Sequence, residues 1–196
     1  MNRTARVERV TGETDITVDL LIDGRGQGQV HTKIPFFDHM LLLFTRHSLC
    51  DLKIQADGDI EVDFHHTVED TGIALGQAFT RALGDKRGIR RYGHAYVPMD
   101  ESLVRVVVDI SGRPFLSYRA PENLAPINGN FAFTLIEEFL RAFTNNAGVN
   151  LHVEVLYGRD VHHMAEAVFK GLAKALDHAV QLDSRVEGVP STKGTL

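Results

Sequence analysis

Three features that the sequence lacks narrow the class of protein. The chain of 196 residues has a single cysteine, Cys50, which excludes an internal disulfide framework and is typical of a reducing compartment. No apolar run approaches the ~20 residues of a membrane span, and residues 1–10 contain no secretory apolar segment. The formal net charge of −5 argues against a nucleic-acid platform. We therefore expect a cytoplasmic protein, or a plastid protein whose transit peptide has been removed, with neither membrane nor nucleic acid as partner.

The most informative pattern that is present is HHxxE, two adjacent histidines with a glutamate three residues after the second. Its members are His65, His66 and Glu69 in the first copy, and His162, His163 and Glu166 in the second. Because the chain has only 10 histidines, chance predicts about 0.03 such motifs. The repetition therefore indicates a function for these residues or a common origin of the two segments.

The rest of the chain repeats around this motif. Alternating apolar residues predict a strand at 13–21, and the same alternation returns at 101–110 with a constant offset of 88. Apolar helical runs at 36–46 and 133–143 also correspond, with Phe143-Thr144 matching Phe44-Thr45 at an offset of 99. Two copies are too few for a stacked repeat protein, so the pattern indicates an internal duplication.

The predicted fold is α+β, with two β-β-α-β-β-α halves whose sheets pack against a layer of helices. In the first half the second strand is the hairpin partner of the first, and two short strands flank a turn at 57–59. Further strands are predicted at 29–34, 52–54 and 60–62. The two halves cover about 6–90 and 95–185, and a linker at 86–96 joins them. Residues 1–196 are predicted to form one catalytic domain that ends in a tail at 186–196.

Each HHxxE motif supports a metal site. On a helix, residues four apart lie on one face, so His65 and Glu69 can share an ion. Imidazole and carboxylate suit a first-row divalent cation such as manganese or zinc. Adjacent helical residues point ~100° apart, so His66 should serve a different ion, completed by another helix or another subunit. The alternative, histidines that merely stack on the core, suits a lone histidine better than a duplicated motif.

The duplication adds two candidate ligands. His39 corresponds to Glu138 at the offset of 99, and both residue types can bind a metal ion. Taken singly, His39 would be a packed helix histidine and Glu138 a solvated carboxylate. Their equivalence in the repeat favours a pair of symmetric sites.

Basic residues provide a candidate phosphate site. Lys170 follows Glu166 by one helical turn and lies ~12 Å along the axis from His162, which suits a substrate with a metal-binding head and an anionic tail. Arg91 and Arg113 could add bidentate contacts to phosphate.

Two further basic segments have simpler interpretations. The segment 190–194 offers the hydroxyl of Ser191 and the ammonium of Lys193, although a frayed polar terminus is the ordinary alternative. The run 86–91 is assigned to a solvated basic turn, with Arg91 as the exception.

These residues resemble the imidazoleglycerol-phosphate dehydratase family of histidine biosynthesis over nearly the whole chain. The matching segments are FFDHM at Phe36, HHTVEDTGIALGQA at His65, RRYGHAYVPMDE at Arg90, SGRP at Ser111, NLHV at Asn150, HHMAEAVFK at His162 and STKG at Ser191. The resemblance implies the duplicated fold, two Mn²⁺ ions per active site and a homo-oligomeric shell of 24 subunits with sites between them.

The resemblance also implies roles for individual residues. The metal ligands would be His39, His65, His66, Glu69, His162, His163 and Glu166, with Glu138 at the position of an eighth ligand, where some relatives have histidine. The phosphate-binding residues would be Arg91, Arg113, Lys170, Ser191 and Lys193. Glu13 corresponds to an acid that contacts the substrate.

The implied reaction converts D-erythro-imidazoleglycerol phosphate to imidazoleacetol phosphate and water. The proton removed lies on a carbon next to no carbonyl, so enolate stabilisation is not available. A metal-bound imidazolate could expel the hydroxyl to give a diazafulvene-like intermediate, and loss of the neighbouring proton would then yield the enol of the product. Glu13 and Glu166 are the candidate carboxylates for proton transfer.

Two other functions are also consistent with a duplicated set of metal ligands. A metal-storing or metal-bridged assembly protein would account for the ligands but not for Arg91, Arg113 and Lys170. A dinuclear phosphoesterase would usually draw on aspartates at strand ends, which are scarce in this chain.

Overall fold

The computed structural model describes residues 3–128 and 130–196, and these form eight strands and four helices. The first half contains β1 (Thr4–Val10), β2 (Thr14–Leu21), β3 (Gly28–His31), α1 (Pro35–Ser48), β4 (Asp51–Gly58) and α2 (His65–Leu83). The second half contains β5 (Tyr92–Met99), β6 (Ser102–Asp109), β7 (Phe115–Arg119), α3 (Thr134–Ala147), β8 (Asn150–Tyr157) and α4 (Val161–Val180).

The predicted duplication is confirmed. Strands β2 and β6 begin and end at residues 88 apart, and helices α1 and α3 do so at residues 99 apart. The two sheets have the equivalent orders β1-β2-β4-β3 and β5-β6-β8-β7. Helix α2 ends at Leu83, with Gly84 as its cap at φ +60°, as the sequence predicted.

The predicted order of elements within each half was wrong. Each half has the order β-β-β-α-β-α, because β1 lies upstream of the first predicted strand. The segment 29–34 is not a hairpin partner, since β3 pairs parallel to β4 instead. Strand β4 is continuous because its ladder with β2 extends to the Thr14–Gly58 pair, so 60–62 lies in a turn. The linker ends at Arg91, since β5 begins at Tyr92.

The helices lie between the two sheets and pair across the halves. Helix α2 packs on β1 and β2 of its own sheet and on α3 of the other half, while α4 packs on β5 and β6 and on α1. Apolar residues from both halves form one continuous buried core, which includes Phe37, Phe139 and Phe169. This pairing brings α1 of the first half beside the HHxxE helix of the second.

No helix in the described part of the chain is both long and apolar enough to span a membrane.

Two glycines allow α2 to approach α3 closely. A Cβ at Gly72 would lie 2.7 Å from the Phe139 carbonyl oxygen, and one at Gly76 would lie 2.7 Å from the Phe143 carbonyl oxygen. Backbone atoms cannot move aside as a flexible side chain can, so the absence of a Cβ sets the distance between these helices.

Gly76→Ala is therefore expected to lower the free energy of unfolding by about 1–3 kcal/mol through overpacking, despite alanine's better helix propensity. Urea denaturation measures the change. Gly12→Ala is the matched control and should be nearly neutral, because a Cβ there meets nothing within 4 Å. Equal stability of the two variants would show that α2 and α3 can separate at little cost.

Candidate metal centre

Both HHxxE motifs occupy the first turn of a helix, fixed by an aspartate just upstream. The Asp160 carboxylate accepts hydrogen bonds from the backbone N–H groups of His162 and His163, at 2.8 and 3.4 Å. The Asp63 carboxylate accepts one from the backbone of His65 at 2.7 Å. The two histidines of each motif contact different carboxylates, Glu69 and Asp59 in the first motif and Glu166 and Glu101 in the second, so adjacent histidines diverge as expected.

The structure brings His39, His162 and Glu166 together. The Nε2 atoms of His39 and His162 lie 2.9 and 3.0 Å from Glu166 Oε1. One ligand atom from each residue lies within 4.8 Å of the others. His39 comes from α1 and the other two residues from α4, so both halves contribute, as the packing of these helices requires. Two imidazoles and a carboxylate are a suitable partial donor set for a divalent first-row ion.

Glu166 is buried and ionised. Burial alone raises its pKa, but the ion pair with Lys170 and the hydrogen bonds from His39 and His162 outweigh this effect and lower the pKa to about 2. The Lys170 Nζ lies 2.6 Å from Glu166 Oε2 and 3.4 Å from the sulfur of Met99. Lys170 thus lies directly beside the His39–His162–Glu166 cluster.

Carboxylates orient the second histidine of each motif. His163 Nδ1 lies 2.8 Å from Glu101 Oε2, and His66 Nδ1 lies 3.0 Å from Asp59 Oδ2. These contacts raise the pKa of both imidazoles. A carboxylate that accepts from Nδ1–H leaves Nε2 free as a ligand atom, which is the usual arrangement behind a metal-binding histidine. The surroundings of the histidines therefore also fit a metal.

The first motif is less tightly clustered within one chain. His65 Nε2 lies 3.7 Å from Glu69 Oε2. Within the described part of the chain, Glu138 on α3 forms no ion pair with either of them, although α3 packs on α2. The carboxylate of Glu13, which is more than half exposed, lies 3.8 Å from His66 Nε2.

The candidate phosphate residues divide into two groups. The Arg91 guanidinium makes two hydrogen bonds to Asp109, at 2.7 and 3.1 Å, and a third to the carbonyl of Pro190 at 2.9 Å. The guanidinium of the exposed Arg113 donates a long hydrogen bond, 3.4 Å, to the carbonyl of Ser111 and makes no ion pair with any residue that the structure describes. The tail folds into a turn in which the Ser191 hydroxyl accepts from the backbone of Lys193. Arg91 and the start of the tail are therefore in contact.

Lys170 lies far from that group in the same chain. It contacts Met99 at the end of β5, whereas Arg91 immediately precedes β5. At ~3.3 Å per residue, the eight residues of this strand separate the two by about 25 Å. The chain therefore does not bring all the candidate phosphate residues together by itself.

Three residues of the site were not among the sequence predictions: Asp59 and Glu101, which orient histidines, and Asp109, which pairs with Arg91. For Glu101 a signal was available, because it corresponds to Glu13 at the offset of 88. No comparable pattern marks Asp59, whose contact depends on how β4 leads into α2.

Comparison with known proteins decides the family. The family described as imidazoleglycerol-phosphate dehydratase matches residues 32–176. Imidazoleglycerol-phosphate dehydratase from Citrifermentans bemidjiense is 57% identical over 196 residues, which is the whole of both chains. The enzyme of the same name from Akkermansia muciniphila is 60% identical over 195 residues, 99% of this chain and 100% of that one. The chain belongs to the imidazoleglycerol-phosphate dehydratase family. The predicted enzyme class, a dehydratase of histidine biosynthesis, is thereby confirmed.

Solved structures of the imidazoleglycerol-phosphate dehydratase family confirm the fold. The enzyme from Staphylococcus aureus has a TM-score of 0.83 and 38% identity, over 92% of this chain and 99% of that chain. The enzyme from Pyrococcus furiosus, in complex with (S)-C348, has a TM-score of 0.83 and 36% identity, over 97% of this chain and 100% of that chain. The duplicated α+β architecture is therefore that of the family.

Glu101→Gln tests the orientation of His163. Glutamine can still accept the backbone hydrogen bonds that Glu101 receives from Arg159 and Asp160, but it loses the charge facing the imidazole. We expect the affinity for a divalent first-row metal ion to fall about 10- to 100-fold with the fold intact. Equilibrium dialysis followed by metal analysis measures it.

Glu8→Gln, an exposed glutamate on β1, is the matched control and should retain metal as the unsubstituted protein does. Unchanged affinity in Glu101→Gln would show that this carboxylate does not support metal binding.

Proposed function

We propose that this chain dehydrates D-erythro-imidazoleglycerol phosphate to imidazoleacetol phosphate and water in histidine biosynthesis. The observation that carries the proposal is the His39–His162–Glu166 cluster, built around the buried carboxylate of Glu166, with Lys170 beside it, in a chain of this family. Such a site presents ligands for a metal ion and a cation for an anionic group. A metal-storing protein would account for the three ligands but not for the further cations Arg91 and Arg113.

The proposed cofactor is Mn²⁺, two ions per active site. The residues that would hold them are His39, His65, His66, Glu69, Glu138, His162, His163 and Glu166. When bound, these ions would supply Lewis acidity towards the imidazole ring of the substrate. The orienting contacts of Asp59 and Glu101 support the assignment of His66 and His163, because each leaves Nε2 free.

Between the two candidate carboxylates, we assign proton transfer at the substrate carbon to Glu13. Glu166 already faces His39, His162 and Lys170 and is largely buried, so it has little freedom to exchange a proton with substrate. Glu13 is more than half exposed and lies beside His66 without touching it closely. A carboxylate in this position can reach a substrate held at the adjacent ligands.

The proposed phosphate-binding residues are Arg91, Arg113, Lys170, Ser191 and Lys193. Because Lys170 and Arg91 are about 25 Å apart in one chain, we propose that each active site takes residues from more than one subunit. The divergence of adjacent histidine rings supports the same arrangement, since one helix cannot direct both to one ion. This is the basis for proposing a large homo-oligomer, with 24 subunits as the resemblance implies.

We further propose that 1–196 acts as one catalytic domain whose tail, 186–196, closes over bound substrate. The hydrogen bond from Arg91 to the Pro190 carbonyl supports this role, because it joins the tail to a phosphate-binding residue. The cytoplasmic location stays a prediction.

The decisive assay follows conversion of imidazoleglycerol phosphate to the ketone product, with and without a chelator. We expect turnover with Mn²⁺, its loss on chelation and its return when Mn²⁺ is added back. A chelated sample given Mg²⁺ is the control for ionic strength and should recover less, because Mg²⁺ prefers oxygen ligands to imidazole. Absence of product in the Mn²⁺-loaded protein would refute the proposed reaction.

Metal removal should also reduce the size of the assembly. Ligands shared between subunits make binding and association mutually dependent, so chelation is expected to lower the mass measured by light scattering. Dilution without chelator is the control. A particle of unchanged mass, shown to be free of metal, would argue against metal-bridged association.

A further inference from the structure

Lys86 does not have the solvated position that its basic surroundings predicted. The residue is only 8% exposed, and its side chain forms no hydrogen bond or ion pair with any residue that the structure describes. Burial, and then the nearby positive charge of Arg91, lower its pKa, while Asp109 acts in the opposite direction. An ammonium held in this way is costly unless an anion compensates it.

The backbone indicates that the position is not arbitrary. Lys86 has φ +60° and Arg91 has φ +72°, in the left-handed region that L-residues other than glycine seldom occupy. Glycine or asparagine would fit either position with less strain. Such strain is typical of functional sites, where the side chain is needed for its own chemistry.

Lys86 and Arg91 share one acidic neighbour, Asp109. Arg91 occupies both carboxylate oxygens of Asp109, and Lys86 makes no ion pair with a carboxylate of any residue described. The Lys86 Nζ lies 3.5 Å from the point that a Cβ on Gly112 would occupy, and Arg113 follows Gly112 in the chain. Two cations, Lys86 and Arg91, therefore lie near one carboxylate that only Arg91 binds directly.

The end of the chain closes this region. The carboxyl carbon of Leu196 lies 2.7 Å from the same Cβ point on Gly112, and the Pro190 carbonyl accepts a hydrogen bond from Arg91. The tail thus lies beside both Lys86 and Arg91, and its last carboxyl group places an oxyanion close to Gly112. A phosphate bound there would be enclosed on one side by the tail and would face the positive charges of Lys86 and Arg91.

We propose that Lys86 is a further binding residue for the phosphate group of the substrate, acting with Arg91 and Arg113. This inference rests on the proposed function for the identity of the ligand. The site itself requires only a tetrahedral oxyanion, for which inorganic phosphate is a sufficient probe. Lys86 supplies a point charge to the group that the two guanidinium ions bind in a defined geometry.

The test uses Lys86→Met in the full-length, Mn²⁺-loaded protein, because methionine keeps much of the length of the side chain and removes its charge. The dissociation constant of inorganic phosphate and the KM for imidazoleglycerol phosphate are each expected to rise about tenfold or more, with little change in kcat. Lys86→Arg should retain part of the affinity. Lys53→Met, on the exposed face of β4, is the control and should bind like the unsubstituted protein.

A purely structural role has a different signature. Because Lys86→Met removes a charge that forms no ion pair among the described residues, its unfolding midpoint should equal or exceed that of the unsubstituted protein, and its particle mass should be unchanged. An unchanged phosphate dissociation constant in a folded Lys86→Met protein would overturn the proposal. A lower unfolding midpoint or a smaller particle mass in Lys86→Met would also overturn the proposal. Binding of phosphate by Lys86→Arg that is as weak as that by Lys86→Met would do so too.

The phosphate measurement separates this proposal from the proposed function. If phosphate binding depends on Lys86 but imidazoleglycerol phosphate is not converted, the anion site stands and the reaction is wrong. If the substrate is converted and Lys86→Met changes neither constant, the reaction stands and Lys86 has no part in binding.

Discussion

The buried carboxylate of Glu166 constrains both the fold and the site. An isolated ionised carboxylate in a protein interior costs several kcal/mol, so it must be compensated where it lies. Its partners come from both halves of the chain: His39 on α1, and His162 and Lys170 on α4. The two halves must therefore dock with α1 against α4 before Glu166 is satisfied. The same docking assembles a partial metal site, which couples correct folding to the chemistry.

The duplication did not leave two identical sites. In the second half, Glu101 orients His163, while in the first half Asp59 orients His66. The residue equivalent to Glu101 is Glu13, which remains exposed and does not contact the Nδ1 atom of His66. The residue equivalent to Asp59 at the offset of 99 is Gly158, which has no side chain. The orienting carboxylate thus comes from a different loop in each half.

This difference has a chemical consequence. Because Asp59 orients the histidine of the first half, Glu13 is free to face a substrate, whereas Glu101 is held by His163 and by two backbone N–H groups. On the proposed function, proton transfer then falls to the half of the repeat whose glutamate is unoccupied. The unoccupied Glu13 thus accompanies Asp59 in the first half, whereas the second half has Gly158 at the equivalent position and uses Glu101 to orient its histidine.

The features that the sequence predicted were those carried by local patterns. Alternation identified β2 and β6, helical periodicity identified the HHxxE helices, and constant offsets revealed the duplication. The pairing of β3 with β4 could not be predicted, because strand partners depend on contacts distant in sequence. The turn composition at 57–59 was misleading, since hydrogen bonds from β2 keep Gly58 in the strand. The burial of Lys86 was equally hidden, because it results from a tail more than a hundred residues away.

The charged residues at the two ends of β5 give a functional reason for self-association. At one end of this strand Lys170 lies beside the metal ligands, and at the other Arg91 and Lys86 lie beneath the tail. A phosphate monoester with a single imidazole ring is far shorter than the roughly 25 Å between these ends. Neither end alone combines the metal ligands with Lys86 and Arg91, the two cations near Asp109. If both groups act on one substrate molecule, they must belong to different copies of the chain, and association becomes a condition of activity.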